Sequence, residues 1–200
     1  MEALKALQDT SILGNPVGDW ALALLAFAAT AVGVRLLLRV LAKRLSVLAS
    51  RTRTTVDDTA VEVIRQTKWW VLLGLGVFAG SRLLVLPDRI AAVIGGLAAV
   101  VIIVQAGIWV SAVVSAAIER SRERQLARSP AGVTTLNALG FVSRILIWSI
   151  VVLLALDNLG VDVTALIAGL GVGGVAVALA VQNILGDLFA SLSIVFDKPF

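Results

Sequence analysis

The sequence predicts an all-α membrane protein with five transmembrane helices per subunit, the fifth of them kinked and rich in glycine and alanine. Three observations predict this fold class. Hydrophobic residues make up 59% of the 200 residues and charged residues only 15%, and the mean hydropathy is +0.99, so polar side chains are too few to cover a soluble surface. The apolar residues form five long stretches. Basic residues are concentrated in alternate loops between these stretches.

The apolar stretches have the lengths of membrane-spanning helices. A helix needs about 20 residues, within a range of about 17–25, to cross the hydrocarbon core. The five stretches cover approximately residues 20–42, 69–86, 90–118, 135–156 and 163–196. The third is long enough to tilt or protrude. The fifth is too long for one simple crossing, which predicts a change of direction within it.

The distribution of basic residues predicts the orientation of the chain. Ten lie between the first and second stretches or between the third and fourth: Lys43, Arg44, Arg51, Arg53, Arg65, Lys68, Arg120, Arg122, Arg124 and Arg128. The opposite side carries three: Lys5, Arg82 and Arg89. Because basic loops stay in the cytoplasm, we expect a multi-pass protein of the cell (inner) membrane with its N-terminus outside and its C-terminus in the cytoplasm.

This topology divides the chain into three regions. Residues 1–19 are predicted to be an extracytoplasmic segment, whose mixed character suits a short amphipathic helix ending near residues 14–16. Residues 20–134 are predicted to hold three outer transmembrane helices joined by basic cytoplasmic loops. Residues 135–200 are predicted to hold the fourth helix and the fifth.

A few polar residues fall within the apolar stretches. Arg35 and Arg39 lie in the last turns of the first helix, where their side chains can reach lipid headgroups. Arg144 lies about 13 Å into the fourth helix, and it either contacts a lipid phosphate, pairs with a carboxylate of a neighbouring helix or snorkels to the interface. Gln105 and Asn137 are predicted to form hydrogen bonds between helices.

The composition excludes several classes of function. The chain has no cysteine and no histidine, which removes disulfides, Cys/His metal sites, thiol nucleophiles and the commonest general base. The catalytic candidates that remain are a few carboxylates, mostly near the ends of the apolar stretches. We predict that the protein is not an enzyme and has no catalytic residues, metal or cofactor. The basic run at residues 119–128 is predicted to be a solvated helix end beside anionic lipid and not a nucleic-acid site.

The run GLGVGG at residues 169–174 raises an alternative, a cofactor-dependent enzyme. Gly169, Gly171 and Gly174 match the G-x-G-x-x-G pattern of dinucleotide-binding sites, and Asp197 lies downstream. Such a site needs a βαβ unit within a larger parallel sheet, whereas the segments before this run are membrane spans. We therefore expect these glycines to serve helix packing.

Small residues recur along one side of the fifth helix. At intervals of four, three and four stand Gly169, Gly173, Ala176 and Ala180. In lipid, small side chains let helix backbones approach closely. A second stripe, also at intervals of three and four, contains Val172, Val175, Leu179, Gln182 and Gly186. If the small residues packed against other copies of the helix, this second stripe would face a central axis. The spacing by itself fits either a pore helix or a close-packed helix in a bundle without a pore.

The segment from Asn158 to Phe200, NLGVDVTALIAGLGVGGVAVALAVQNILGDLFASLSIVFDKPF, resembles the pore helix of the small-conductance mechanosensitive channel (MscS) family. The glycine-alanine run, the A-V-Q-N-I-L-G-D break and the closing F-D-K-P-F match that pattern. The resemblance implies a homoheptamer whose fifth helices line a pore, with Val175 and Leu179 at two constricting hydrophobic positions. It also implies a hinge at Asn183, where several members have glycine, and Gly186 could share that role.

The same resemblance implies the function and its partners. We expect a channel in the lipid bilayer that membrane tension opens under hypo-osmotic shock, so that ions and small solutes pass a gate that otherwise excludes water. Residues 188–196 would form an amphipathic interfacial helix. A large cytoplasmic β domain with a vestibule follows the K-P-F element in the family. Either this sequence is only the membrane part of a longer protein, which we favour, or the vestibule is absent. The alternatives are a ligand-gated pore and a secondary transporter with a glycine-broken helix.

Overall fold

The computed structural model describes residues 11–49, 55–126 and 130–197. In chain order, the elements of these residues are β1 (Ser11–Ile12), β2 (Asn15–Pro16), α1 (Val17–Ala49), α2 (Thr55–Arg65), α3 (Trp69–Ser81), α4 (Asp88–Leu126), α5 (Pro130–Asn158) and α6 (Thr164–Asp197). By length and composition α1, α4, α5 and α6 can each cross a membrane, and α3 is a shorter apolar helix. The predicted all-α membrane fold is confirmed. The chain divides into two compact units, Met1–Gly160 and Val161–Phe200.

Residues 11–16 form a tight β-hairpin, so the amphipathic helix predicted to end near residues 14–16 is wrong over this part. β1 and β2 are antiparallel, and Leu13 and Gly14 have φ angles of 54° and 79°, as a two-residue hairpin turn requires. The side-chain amide of Asn15 donates to the carbonyl of Val85 (2.9 Å) and accepts from its N–H (2.7 Å). These bonds tie the hairpin to the segment after α3. Residues 1–10 lie outside the described part of the chain.

Helix α3 packs closely against α1 through two glycines. A Cβ added at Gly76 would lie 2.7 Å from the ring of Phe27, and one at Gly80 would lie 2.7 Å from the carbonyl oxygen of Ala23. Glycine is needed at both positions because the helices approach too closely for any side chain. The two contacts run in opposite chain directions, which makes α1 and α3 antiparallel.

Helix α3 is shorter than the second apolar stretch, residues 69–86. It has 13 residues, about 20 Å of helix, against a hydrocarbon core of about 30 Å. At its end the hydroxyl of Ser81 donates to the carbonyl of Phe78 (2.8 Å), a local bond that competes with continuing the helix. Arg82 follows, with its guanidinium 4.8 Å from the centre of the Phe78 ring. The rest of the stretch, up to Pro87, is turn and irregular chain.

Helix α2 lies in a segment that the sequence analysis treated only as a basic loop. It has 11 residues with an amphipathic sequence, and it contacts both α1 and α4. The guanidinium of Arg120 on α4 donates to the hydroxyl of Thr59 on α2. At 11 residues α2 is too short to be found by a search for membrane spans.

Helices α4 and α5 form a long antiparallel pair. Helix α4 has 39 residues, about 58 Å, so it extends well beyond the thickness of a hydrocarbon core, as its apolar stretch predicted. A Cβ added at Gly107 would overlap Cγ2 of Val151, and one at Gly140 would lie 3.2 Å from Cδ1 of Ile118. These glycines therefore determine how closely the two helices approach.

Candidate pore helix and polar sites

Helix α6 begins at a well-defined turn. Gly160 follows α5 with a φ of 80°, a conformation that costs glycine little because it has no Cβ. Oδ1 of Asp162 accepts a hydrogen bond from the backbone N–H of Thr164 (2.9 Å), and the N–H of Ile167 bonds to the carbonyl of Val163 (2.9 Å). The bonds from Thr164 hold the pKa of the Asp162 carboxyl below its ordinary value, and they satisfy donors that a helix start leaves free.

We expect Asp162→Ala to weaken the first turn of α6, and Asp162→Asn, which keeps an acceptor, to weaken it less. Because the pKa of Asp162 is lowered in the folded state, its contribution is present above the unfolded pKa, about 4, and is lost as the pH falls through the folded value. Amide hydrogen exchange of residues 164–167 at equal pH measures the effect. Identical exchange in wild type and Asp162→Ala at pH 6 would contradict this capping role.

Helix α6 is continuous from Thr164 to Asp197 over 34 residues, about 51 Å. The structure therefore has one helix where the sequence analysis predicted a change of direction and a separate interfacial helix over residues 188–196. Asparagine and glycine each lower helix propensity by only about 0.5–1 kcal/mol relative to alanine, and no proline interrupts this segment. The hinge at Asn183 and Gly186 stays a prediction.

Two stripes of α6 keep the arrangement that the spacing predicted. At about 100° per residue, the small stripe (Gly169, Gly173, Ala176, Ala180) and the larger stripe (Val172, Val175, Leu179, Gln182, Gly186) are centred about 110° apart around the helix axis. The side chains of both stripes are exposed. A Cβ added at Gly169, Gly173 or Gly186 would meet no atom within 4 Å, unlike one added at Gly76 or Gly107.

The dinucleotide pattern lies entirely within α6. Gly169, Gly171 and Gly174 are helical, and so are residues 164–168 before them, where a strand would be needed. The strands among the described residues are β1 and β2 alone. The cofactor-enzyme alternative therefore lacks the strand–turn–helix unit that would hold a pyrophosphate.

Arg35 and Arg39 line one cavity of about 340 Å³ between α1, α2 and α3. Arg65 of α2 and Trp69 of α3 also line it, and no carboxylate does. Three guanidinium groups around one cavity create a positive potential and can bind a phosphate through charge-assisted hydrogen bonds.

Arg144 lines a different cavity, of about 820 Å³, between α2, α4 and α5. Its guanidinium contacts the hydroxyl of Ser115 on α4 at 3.4 Å. Glu62 and Glu119 line the same cavity, and the ion pair that Glu119 makes is with Arg122 (3.5 Å). Among the described residues, Arg144 therefore contacts a hydroxyl on a neighbouring helix and not the carboxylate that one of the predicted alternatives required.

Gln105 forms hydrogen bonds as predicted, but its partners lie between two helices and not on a neighbouring helix. The residue is 2% exposed. Its Oε1 accepts from the backbone N–H of Lys68 (3.0 Å), and its Nε2 donates to the carbonyl of Gln66 (3.4 Å). Asn137 instead lines the cavity of Arg144. The sequence does not reveal that Gln105 bonds with residues 66–68 between two helices, because a non-helical segment of three residues does not change the apolar pattern.

Comparison with known proteins places α5 and α6 in one family. Residues 138–182 match the family described as mechanosensitive ion channel, transmembrane helices 2/3. Over 57 residues the chain is 54% identical to the large-conductance mechanosensitive channel MscMJLR of Methanocaldococcus jannaschii, covering 28% of this chain and 16% of that protein. It is 53% identical over 49 residues to the small-conductance mechanosensitive channel MscMJ of the same organism, covering 24% of this chain and 14% of that protein.

A third relative is more distant and matches over a longer segment. The low conductance mechanosensitive channel YnaI of Escherichia coli is 30% identical over 78 residues, covering 39% of this chain and 23% of that protein. The matched segment is thus less than a quarter of the length of each of these three relatives. No solved structure matches the chain. Residues of α5 and α6 therefore match the membrane-spanning segment of the MscS family of mechanosensitive channels, and this chain has further helices before that segment.

Proposed function

We propose that the chain forms a homo-oligomeric channel that membrane tension opens, and that α6 lines its pore. The observation that carries the proposal is the larger stripe of α6, an exposed line of mostly apolar side chains in and just beyond the segment that matches the channel family. The release of ions and small solutes under hypo-osmotic shock is the function we assign to it. Such a function needs no covalent chemistry, so we propose no enzymatic role.

Val175 and Leu179 are the residues that we propose as the gate. They are four residues apart on the larger stripe, so copies around an axis would form two rings about 6 Å apart. A narrow apolar ring excludes water, and an ion cannot pass without its water. Tension that separates the helices would widen the rings until they fill with water. Val172, Gln182 and Gly186 would line the same pore above and below the gate.

Assembly through the small stripe supports this arrangement. Gly169, Gly173, Ala176 and Ala180 would let the α6 helices of neighbouring copies approach closely in lipid. A seven-fold ring is the subunit number that the family resemblance implies.

We propose that the basic loops lie in the cytoplasm, with residues 1–19 outside and the C-terminus inside the cell (inner) membrane. The ten basic residues against three on alternate sides support this orientation. In this topology residues 20–134 hold the outer helices, and residues 135–200 hold the pore helix and the rest of α5, which begins at Pro130. We further propose that Arg35 and Arg39 bind a lipid phosphate, because they share one cavity with Arg65, and that Arg144 contacts lipid at its own cavity.

Patch recordings from liposomes that contain the purified protein test the function. Discrete currents whose open probability rises with suction, without added ligand, are expected. Folded oligomers that stay silent up to membrane rupture would contradict tension gating. Currents that appear only with a solute present would favour a ligand-gated pore, and solute flux without unitary currents would favour a secondary transporter.

Asn183→Gly is expected to change closing or desensitisation more than the opening tension. Glycine lowers helix propensity at this position and frees the backbone, so a hinge there would bend more easily. Closing kinetics under a sustained step of suction measure the effect. Gly186→Ala is the matched variant, since it stiffens the next candidate hinge. Kinetics that change in Gly186→Ala and not in Asn183→Gly would place the hinge at Gly186.

A further inference from the structure

The helical conformation is interrupted between α2 and α3 at residues 66–68, which we call the break. Side chains of α4 form hydrogen bonds with these residues. Helix α2 ends at Arg65 and α3 begins at Trp69, with Lys68 in an extended conformation (φ −79°, ψ 148°). The N–H groups of Gln66 and Thr67 still bond back to carbonyls of α2. The N–H of Lys68 bonds instead to Oε1 of Gln105.

Gln105 replaces the backbone partners that the break removes. Its amide accepts from Lys68 and donates to Gln66, so one side chain bonds with both sides of the break. One turn along α4, the indole N–H of Trp109 donates to the hydroxyl of Thr67 (3.3 Å). A buried peptide group without a hydrogen-bond partner is costly, so an apolar residue at position 105 would leave the break unsupported.

The same turn of α4 also packs closely against α5. Gly107, two residues after Gln105, lies so close to Val151 that an added Cβ would overlap its side chain. Arg120, further along α4, bonds to Thr59 of α2. Helix α4 is therefore joined to α2 and the break by hydrogen bonds, and to α5 by close packing.

We propose that Gln105 and Trp109 form a joint that makes α2, α3 and α4 move as one body, and that Gln105 is a positioning residue for gating. When the bilayer pulls on α1 and α3, the joint transmits the displacement to α4 and, through Gly107, to α5, the helix before the pore helix. The joint itself follows from the contacts above, and its part in gating rests on the proposed function.

Gln105→Met in the full chain, reconstituted in liposomes, tests the proposal with two readouts. Methionine has a similar volume and no amide, so the Lys68 amide should exchange its hydrogen about tenfold faster, the factor that one net hydrogen bond is worth. The midpoint tension of the channel should rise, because α3 then yields at the break without moving α4. Thr67→Val removes only the Trp109 bond and should give a smaller change in the same direction.

Ser111→Ala is the matched control, since Ser111 lies six residues along α4 and its buried hydroxyl has no partner in the described structure. Both readouts should stay as in wild type. Unchanged Lys68 exchange in Gln105→Met would overturn the joint. Faster exchange with an unchanged midpoint would overturn the transmission of force. If wild type itself passes no tension-activated current, the proposed function fails and the gating role with it, while the exchange measurement still decides the joint.

Discussion

We expect Leu179→Ser to open the proposed channel at lower tension than wild type. Leucine on the larger stripe of α6 is exposed and, in a ring of copies, would keep the closed pore dry. Each replacement removes about 1.5–3 kcal/mol of apolar transfer free energy and adds a hydroxyl that binds water. Because the change is repeated in every subunit, the closed state should be strongly destabilised, with openings at little or no applied suction.

Leu170→Ser is the control for this effect. Leu170 is also exposed on α6, but it lies about 160° from the centre of the larger stripe. The midpoint tension of both variants, measured by suction on liposome patches, should separate a gate residue from a residue that merely loses hydrophobicity. An unchanged midpoint in Leu179→Ser, or an equal fall in both variants, would remove Leu179 from the gate.

Gly107→Leu lowers the stability of the folded chain. A side chain at position 107 overlaps Val151, and overpacking in a close contact costs about 1–3 kcal/mol or more. For a chain of this size that corresponds to a fall in Tm of about 2–12 °C. Thermal unfolding of the purified protein in detergent measures the shift. Combining Gly107→Leu with Val151→Ala should recover much of the loss, because the second change makes room for the leucine.

Gly95→Leu on the same helix is the comparison. A Cβ added at Gly95 meets no atom within 4 Å, and leucine has the better helix propensity. Its Tm should equal or exceed that of wild type. A fall as large as that of Gly107→Leu would mean that α4 resists any leucine there, and that the contact with Val151 is not the cause.

The sequence predicts those features of the candidate site that depend on α6 alone. The larger and small stripes of α6 follow from spacing alone, because residues three and four apart share a helix face wherever the helix lies. The roles of Val175, Leu179 and Asn183 came from the family resemblance instead. Spacing does not specify how many copies surround an axis or where a helix bends.

The positions of the long helices were determined by the sequence itself. A membrane helix satisfies its backbone hydrogen bonds internally, so length and apolar character are enough to locate α1, α4, α5 and α6. Their basic flanks and the absence of cysteine and histidine are likewise read directly from the residues. That absence removes disulfides, thiol nucleophiles and Cys/His metal sites.

Only the tertiary structure shows which residues depend on contacts with residues far away in the chain. Asn15 joins the hairpin of residues 11–16 to Val85, 70 residues away. Gln105 bonds with the break at Lys68, 37 residues away. The need for glycine at positions 76 and 107 depends on Phe27 and Val151 of other helices. Such contacts pair residues far apart in the chain, and hydrophobic periodicity describes only the surroundings of each residue within its own helix.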